Sequence, residues 1–235
     1  MRFQTTLVPA KLIRRYKRFL SDVVLEADGD EVVAHCPNPG AMTGLAEPGQ
    51  RVWLEPNDDP KKKLKFGWRI TELSDGQFAC IDTSLANKVV GEALRAGEIS
   101  PYGQASDIRA EVPYGEGSRV DFLVSENGRD TYLEVKSVTL MRESGLAEFP
   151  DTVTKRGAKH LRELAKLAAG GTAAAMIYLV QRTDCHVVGV AADIDPDYAK
   201  AAKEAKDAGV AFQAYAVDIS SEGLKIARLL DFKGD

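Results

Sequence analysis

Apolar residues in the first third of the chain come in short runs punctuated by turn residues, with no long helical stripe. Residues 19–27 predict a strand, and Asp28-Gly29-Asp30 is a turn signal leading into a second strand at 32–36. Pro37-Asn38-Pro39-Gly40 forces a loop, and Pro48-Gly49 marks a turn before a third apolar run at 51–54. Residues 65–73 and 77–83 predict a hairpin-like pair around Ser74-Asp75-Gly76. Strands this short and this close together suggest a small barrel or sandwich. A barrel of the oligonucleotide/oligosaccharide-binding type fits the length, but periodicity does not separate it from other small β folds.

Beyond residue 85 the period changes. Val89, Val90, Ala93 and Leu94 recur at helical spacing with Gly97 as a stop, predicting a short helix over 87–96. Three strand candidates follow at 108–114, 119–124 and 131–138, with Gly115-Glu116-Gly117 and Glu126-Asn127-Gly128 as the turns between them. A longer helix is expected over 154–169, stopped by Gly170-Gly171. Residues 173–181 are almost continuously apolar, as a central strand covered on both faces should be. A strand at 186–192, a helix from Asp195-Pro196 to residue 208 and a strand at 210–217 close the series. The expected organisation is therefore two units: a small β-barrel over 1–85 and an α/β (α+β) mixed-sheet domain over 86–235.

Composition changes this picture little. At 235 residues and 44% apolar, the chain has material for a core without cross-links. No run approaches the roughly 20 apolar residues of a membrane helix, so no membrane partner is expected. The first residues lack a signal-peptide pattern, and three widely spaced cysteines suit a reducing compartment, which together predict a cytoplasmic location. The absence of CxxC and HxxxH pairs argues against structural zinc. Net charge is −4, yet Arg14-Arg15-Tyr16-Lys17-Arg18 and Lys61-Lys62-Lys63-Leu64-Lys65 are local basic clusters. Such patches can hold a polyanion whatever the net charge.

The candidate chemistry lies in Arg119-Val120-Asp121-Phe122-Leu123-Val124 and Tyr132-Leu133-Glu134-Val135-Lys136-Ser137. Alternation in a strand puts Glu134 and Lys136 on one face and Val135 on the other, and a turn at 126–129 would bring Asp121 close to Glu134. Two converging carboxylates repel unless a proton or cation intervenes, and a hard cation such as Mg²⁺ or Mn²⁺ is the natural partner. Lys136 could orient a water or stabilise charge on a phosphoryl oxygen. The plain alternative is a solvent-side Glu134–Lys136 ion pair. Within the helix at 154–169, Lys155, Lys159, Arg162 and Lys166 share a face opposite Ala158, Leu161, Leu164, Ala165 and Ala168. That stripe is either a solvated face or a track for phosphates. Likewise Arg14, Arg15, Lys17, Arg18, Lys62 and Lys65, with Tyr16, Phe66 and Trp68 among them, read equally as a nucleic-acid surface or as core aromatics with solubilising charges. His35, His160 and His186 lack metal-ligand spacing and are read as structural or surface residues. The small-residue loop from Cys36 to Gly44 is assigned no role, and no phosphate-cradling GxxxxGK[ST], GxGxxG or GxSxG motif occurs.

Six segments in order resemble the sugar fermentation stimulation protein A family. They are Arg14-Arg15-Tyr16-Lys17-Arg18-Phe19-Leu20, Cys36-Pro37-Asn38-Pro39-Gly40-Ala41-Met42-Thr43-Gly44-Leu45, Ser118-Arg119-Val120-Asp121-Phe122-Leu123, Glu134-Val135-Lys136-Ser137-Val138-Thr139-Leu140, Phe149-Pro150-Asp151 and Arg156-Gly157-Ala158-Lys159-His160-Leu161. The resemblance implies a DNA-binding protein without strong sequence preference, linked in bacteria to sugar (maltose) metabolism genes. It also implies an N-terminal barrel of the oligonucleotide-binding type and a C-terminal domain similar to the PD-(D/E)xK nuclease superfamily, a restriction-endonuclease-like fold. Carried over, Asp121 and Glu134 would be metal ligands, Lys136 the catalytic lysine, and Glu92 an extra acid found in some members. Val120 stands where that superfamily often has proline. Three functions are weighed: a DNA-binding regulator with an inherited metal site, an active metal-dependent DNA endo- or exonuclease, and a small-molecule enzyme of sugar metabolism. No residue pattern supports the third.

Overall fold

A computed structural model describes residues 1–115 and 117–233. Glu116, in the expected turn at 115–117, and the last two residues of the expected second unit lie outside the described residues.

The first unit is a closed barrel. Strands β1 (Val8–Tyr16), β2 (Leu20–Leu25), β3 (Glu31–His35), β4 (Arg51–Pro56), β5 (Phe66–Glu72) and β6 (Phe78–Cys80) pair in the order β3-β2-β1-β4-β5-β6. A parallel pairing of Ala34 with Phe66 and His35 with Gly67 joins β3 to β5 and closes five strands on themselves. Closure removes the exposed edges that a sandwich of this size would leave. Its interior is filled by Ala10, Leu12, Val23, Leu45, Leu54 and Trp68, all at most 2% exposed. Trp68 is thus a core residue; its indole Nε1 donates to the Ile70 carbonyl at 3.1 Å, which leaves no face for a stacked base. Strand β1 falls outside the predicted strands because its register shifts between Leu12 and Arg14, so alternation breaks midway.

The second unit is a nine-stranded mixed sheet with helices on both faces. Its members are β7 (Asp107–Tyr114), β8 (Ser118–Glu126), β9 (Arg129–Val138), β10 (Leu140–Glu143), β11 (Leu146–Phe149), β12 (Ala173–Val180), β13 (Val187–Val190), β14 (Ala211–Ser220) and β15 (Gly223–Phe232). They run in the order β10-β11-β13-β15-β14-β12-β9-β8-β7. Helix α1 (Leu85–Arg95) packs on one face, while α2 (Lys155–Ala169) and α3 (Pro196–Asp207) cover the other. Strand β12 explains its own apolar run: Ala175, Ile177 and Leu179 meet α1, and Ala174, Met176 and Tyr178 meet α2 and α3. Thr154 caps α2 by accepting from Gly157 N, and Asp195 caps α3 by accepting from Tyr198 N. The β10–β11 hairpin and β15 are additions to the sequence reading, so the sheet does not end at β14.

The two units meet along β6 and the end of β12. Cys80 N donates to the Gln181 carbonyl at 2.9 Å, and the Gln181 amide donates to the carbonyls of Cys80 and Asp82. The three cysteines are free and buried. Among the described residues no helix is long and apolar enough to cross a membrane.

Candidate functional site

The β8–β9 hairpin turns at 126–129 as its Asn-Gly signal predicts, pairing Glu126 with Arg129 and running back to Phe122–Leu133. There the ladder stops. Asp121, the next residue on β8, takes the place of the following rung: its Oδ2 accepts Val135 N–H at 2.7 Å. Its Oδ1 accepts from Asn87 Nδ2 of α1 at 2.6 Å. On β9, Leu133 and Val135 pack toward α1, so Glu134 and Lys136 face α2. Lys136 Nζ donates to Glu134 Oε1 at 2.8 Å, and His160 Nδ1 of α2 bonds the same oxygen. Arg156 Nε donates to His160 Nε2 at 3.3 Å, which leaves the ring proton on Nδ1, aimed at Glu134.

Glu134 is 3% exposed, so this is not the solvent-side ion pair of the plain alternative. Both donors fall on Oε1, and the buried Oε2 has no hydrogen-bond partner. Burial alone would raise Glu134, but the His160 bond and the Lys136 charge outweigh it and hold the carboxyl below its ordinary range. Asp121 is pushed the other way, first by burial and then by the neighbouring Glu134 charge. Beside them the Tyr114 hydroxyl is buried without a partner, and burial followed by the Glu134 and Glu163 charges keeps it protonated.

These residues fit a hard divalent cation. Lys136 and His160 engage only Oε1, so the buried Oε2, near a second carboxylate, is a position where a cation could add to the charge that Lys136 supplies. Among the described residues no group of three or more His, Cys, Asp or Glu side chains converges for a metal. Asp121 and Glu134 could offer at most two carboxylate donors, a set that would suit an ion keeping several waters better than one enclosed by protein. Glu92 does not join them. It is mostly exposed and pairs with the Met1 amino group at 2.6 Å, because five residues along α1 turn it well away from Asn87.

Lys136, Asn87 and Arg156 line a cavity of about 770 Å³ whose opposite wall comes from the barrel: Arg18, Asn38, Pro39 and Gly40. The Cys36–Gly44 loop, without an assigned role in the sequence, is that wall. Arg15 holds it from behind, donating to the carbonyls of Asn38 at 2.9 Å, Gly40 at 3.0 Å and Ala41 at 3.5 Å. Asp151 of the second unit accepts from Ala41 N at 2.9 Å, and Gly40 presses on that carboxylate so closely that a Cβ would collide with it.

The expected DNA-contact residues are thus dispersed. Arg15 is committed to the loop, and Arg14 pairs with Asp22 at 2.7 Å while lying over the Tyr16 ring. Lys17 and Arg18 occupy a left-handed turn and are exposed. Lys62 lines a second cavity, and Lys65 bonds the Asp59 carbonyl at 3.1 Å. On α2, Lys155 and Lys159 are exposed, the latter 3.6 Å from Glu163, whereas Arg162 is held by Asp197 at 2.5 Å. His160, Asn87 and Arg156 escaped the sequence reading as site residues. The available signal for His160 is its position one turn before Leu164, at the edge of the apolar face of α2.

Two family models match the chain: the SfsA N-terminal OB domain over residues 13–81 and the sugar fermentation stimulation protein RE domain over 84–223. The chain belongs to the sugar fermentation stimulation protein family. Homologues bearing that family's name are close in sequence. The one from Roseobacter denitrificans is 58% identical over 228 residues, covering 97% of each chain. That from Dinoroseobacter shibae is 60% identical over 231 residues, covering 98% of this chain and 95% of the other. A solved structure of Pyrococcus furiosus SfsA in complex with Ca²⁺ superposes with a TM-score of 0.88 at 27% identity, covering 99% of this chain and 98% of that one. The barrel and the mixed sheet are therefore the family's architecture.

Proposed function

We propose that this chain is a cytoplasmic DNA-binding protein, without strong sequence preference, that holds Mg²⁺ or Mn²⁺ between Asp121 and Glu134. In this reading its two units, 1–85 and 86–235, act together, the second being a fold of the PD-(D/E)xK nuclease kind. The observation that carries it is the unpartnered, buried Glu134 Oε2 beside Asp121, next to a cavity walled by Lys136, Arg156 and Arg18. A relative of the same fold has been solved in complex with Ca²⁺, which supports the binding of a divalent cation. When bound, the cation supplies Lewis acidity and a more acidic water. Lys136 lines the cavity wall, where a phosphoryl oxygen would meet its Nζ. Arg18 and Arg156 hold the flanking phosphates. The family's name carries the physiological setting, and we place the DNA contact in the control of sugar (maltose) metabolism.

A second reading, an active metal-dependent endo- or exonuclease, is favoured by Lys136, which shares a strand face with Glu134 and itself lines the cavity. Incubation with single-stranded, duplex and branched DNA in Mg²⁺, Mn²⁺ or EDTA separates the two. Cleavage that needs metal and vanishes in Glu134→Ala makes the protein a nuclease. Binding without cleavage of any form leaves it a binding protein, and absence of binding sinks both readings.

His160 contributes by orienting Glu134. Replacing it with alanine should weaken Mn²⁺ affinity by roughly 10- to 100-fold, the usual loss when a ligand's outer partner is removed. His160→Asn retains an N–H near Nδ1 and should recover most of that affinity in titration calorimetry. Equal affinity in wild type and His160→Ala would remove His160 from the site.

A further inference from the structure

A second cavity, of about 720 Å³, lies on the other side of the domain junction. Lys62, Lys63, Phe66 and Arg69 of the barrel line it, together with Arg2 and Lys88. Glu55, Asp82 and Glu92 also face it, the first two engaged by Arg69 and Glu92 by the Met1 amino group. The partition between the two cavities is thin. Asn38 faces the first cavity and Pro37 the second, and residues 81–83 back them: Asn38 Nδ2 donates to the Ile81 carbonyl at 3.0 Å, and Thr83 N donates to Pro37 O at 3.4 Å.

An aromatic pair sits beside this partition. Phe19 is 42% exposed and stacks on His35 with ring centroids 6.4 Å apart. Its chain neighbour Arg18 lines the first cavity, and His35 lines the second. Burial and the Arg69 charge hold His35 below its ordinary range, so its ring is neutral at pH 7. An exposed phenylalanine contributes little to the barrel core, whereas a flat aromatic surface between two cavities that each present lysine and arginine side chains matches the alternation of base and phosphate in a nucleic acid strand.

We infer that a single strand of DNA crosses the domain junction over the Phe19–His35 pair, with phosphates in both cavities. The inference rests on the DNA-binding reading and names its substrate: single-stranded DNA, or a single-stranded tail at a duplex end. A base stacks on Phe19. Lys62, Lys63 and Lys88 take phosphates on one side, and Arg18 and Arg156 take them on the other, beside Lys136. A paired duplex cannot offer a base face to Phe19 without unstacking, so an intact duplex forfeits this interaction.

The test is fluorescence anisotropy in EDTA, with labelled oligothymidine and a labelled duplex of the same length. Oligothymidine should bind more tightly than the duplex. Phe19→Ala should weaken oligothymidine binding by about fivefold or more, the least that a stacked base contributes, and leave the duplex unchanged. Phe19→Trp should restore it. Lys62→Ala combined with Lys63→Ala should flatten the salt dependence by about 0.7 in log–log slope for each phosphate left without its lysine. Duplex bound as tightly as oligothymidine, or an unaltered oligothymidine affinity in Phe19→Ala, overturns the inference while DNA binding stands. No binding of either probe overturns the DNA-binding reading as well.

Discussion

Glu134→Gln should remove divalent-metal binding and spare the fold. The substitution keeps the side chain's shape, so His160 Nδ1 and Lys136 Nζ can still donate to an oxygen in the position of Oε1. What disappears is the charge on the buried oxygen that has no hydrogen-bond partner. The loss of Mn²⁺ affinity should exceed the roughly 100-fold upper range for an outer partner such as His160, because a ligand itself is altered. Thermal unfolding with and without metal gives the readout. At a metal concentration about 100 times Kd, a site that binds only in the folded state adds about 2.7 kcal/mol, a shift of several degrees for a chain of this size. Wild type should show that shift and Glu134→Gln should show none; equal shifts in both would remove Glu134 from the metal site.

Trp68→Ala should be the most destabilising single change in the barrel. The indole is fully buried among Leu12, Leu54 and Ala79, and its N–H is satisfied by Ile70 O. Truncating a buried tryptophan costs about 3–5 kcal/mol, which lowers the melting temperature by roughly 6–20 °C in proteins of this length. Phe19→Ala, at an exposed position, should stay within about 0.5 kcal/mol of wild type. The pair separates two aromatic roles that look alike in the bare sequence. A Trp68→Ala protein that unfolds at the wild-type urea midpoint would show that the barrel interior is not organised around the indole.

Much of this was legible in the chain, for identifiable reasons. The run over β12 is apolar at every position because helices cover both faces, and that requirement leaves a plain signal. The Asn127-Gly128 turn fixes the β8–β9 register, and the register brings Asp121 to Glu134. By contrast, β1 carries a register shift that interrupts its alternation, and β10–β11 is too short to show a period. Strand β15 resembles a surface segment because Leu229 is 61% exposed and Arg228 stands beside it. In the site, carboxylates and lysine were visible because their types are distinctive in an apolar strand. His160 and Asn87 were not, since an isolated polar residue on a helix gains meaning only from what the fold places opposite it. The basic clusters were seen, but their employment was not: Arg15 reads as a DNA contact until three loop carbonyls are found in its fork.

The position of Asp121 bears on how related sequences should be interpreted. Its carboxylate closes the sheet where the β8–β9 ladder ends and ties α1 to the strand through Asn87. A descendant that had lost all metal chemistry would still need an acceptor there, so selection for folding alone preserves an aspartate at this place. Glu134 is also anchored, by Lys136 and by His160 of α2, but both bonds fall on Oε1, and folding gives no reason for the second buried oxygen to stay without a partner. Across relatives, persistence of Asp121 therefore says little about activity, and replacement of Glu134 by an uncharged residue would mark lineages unable to hold the proposed cation.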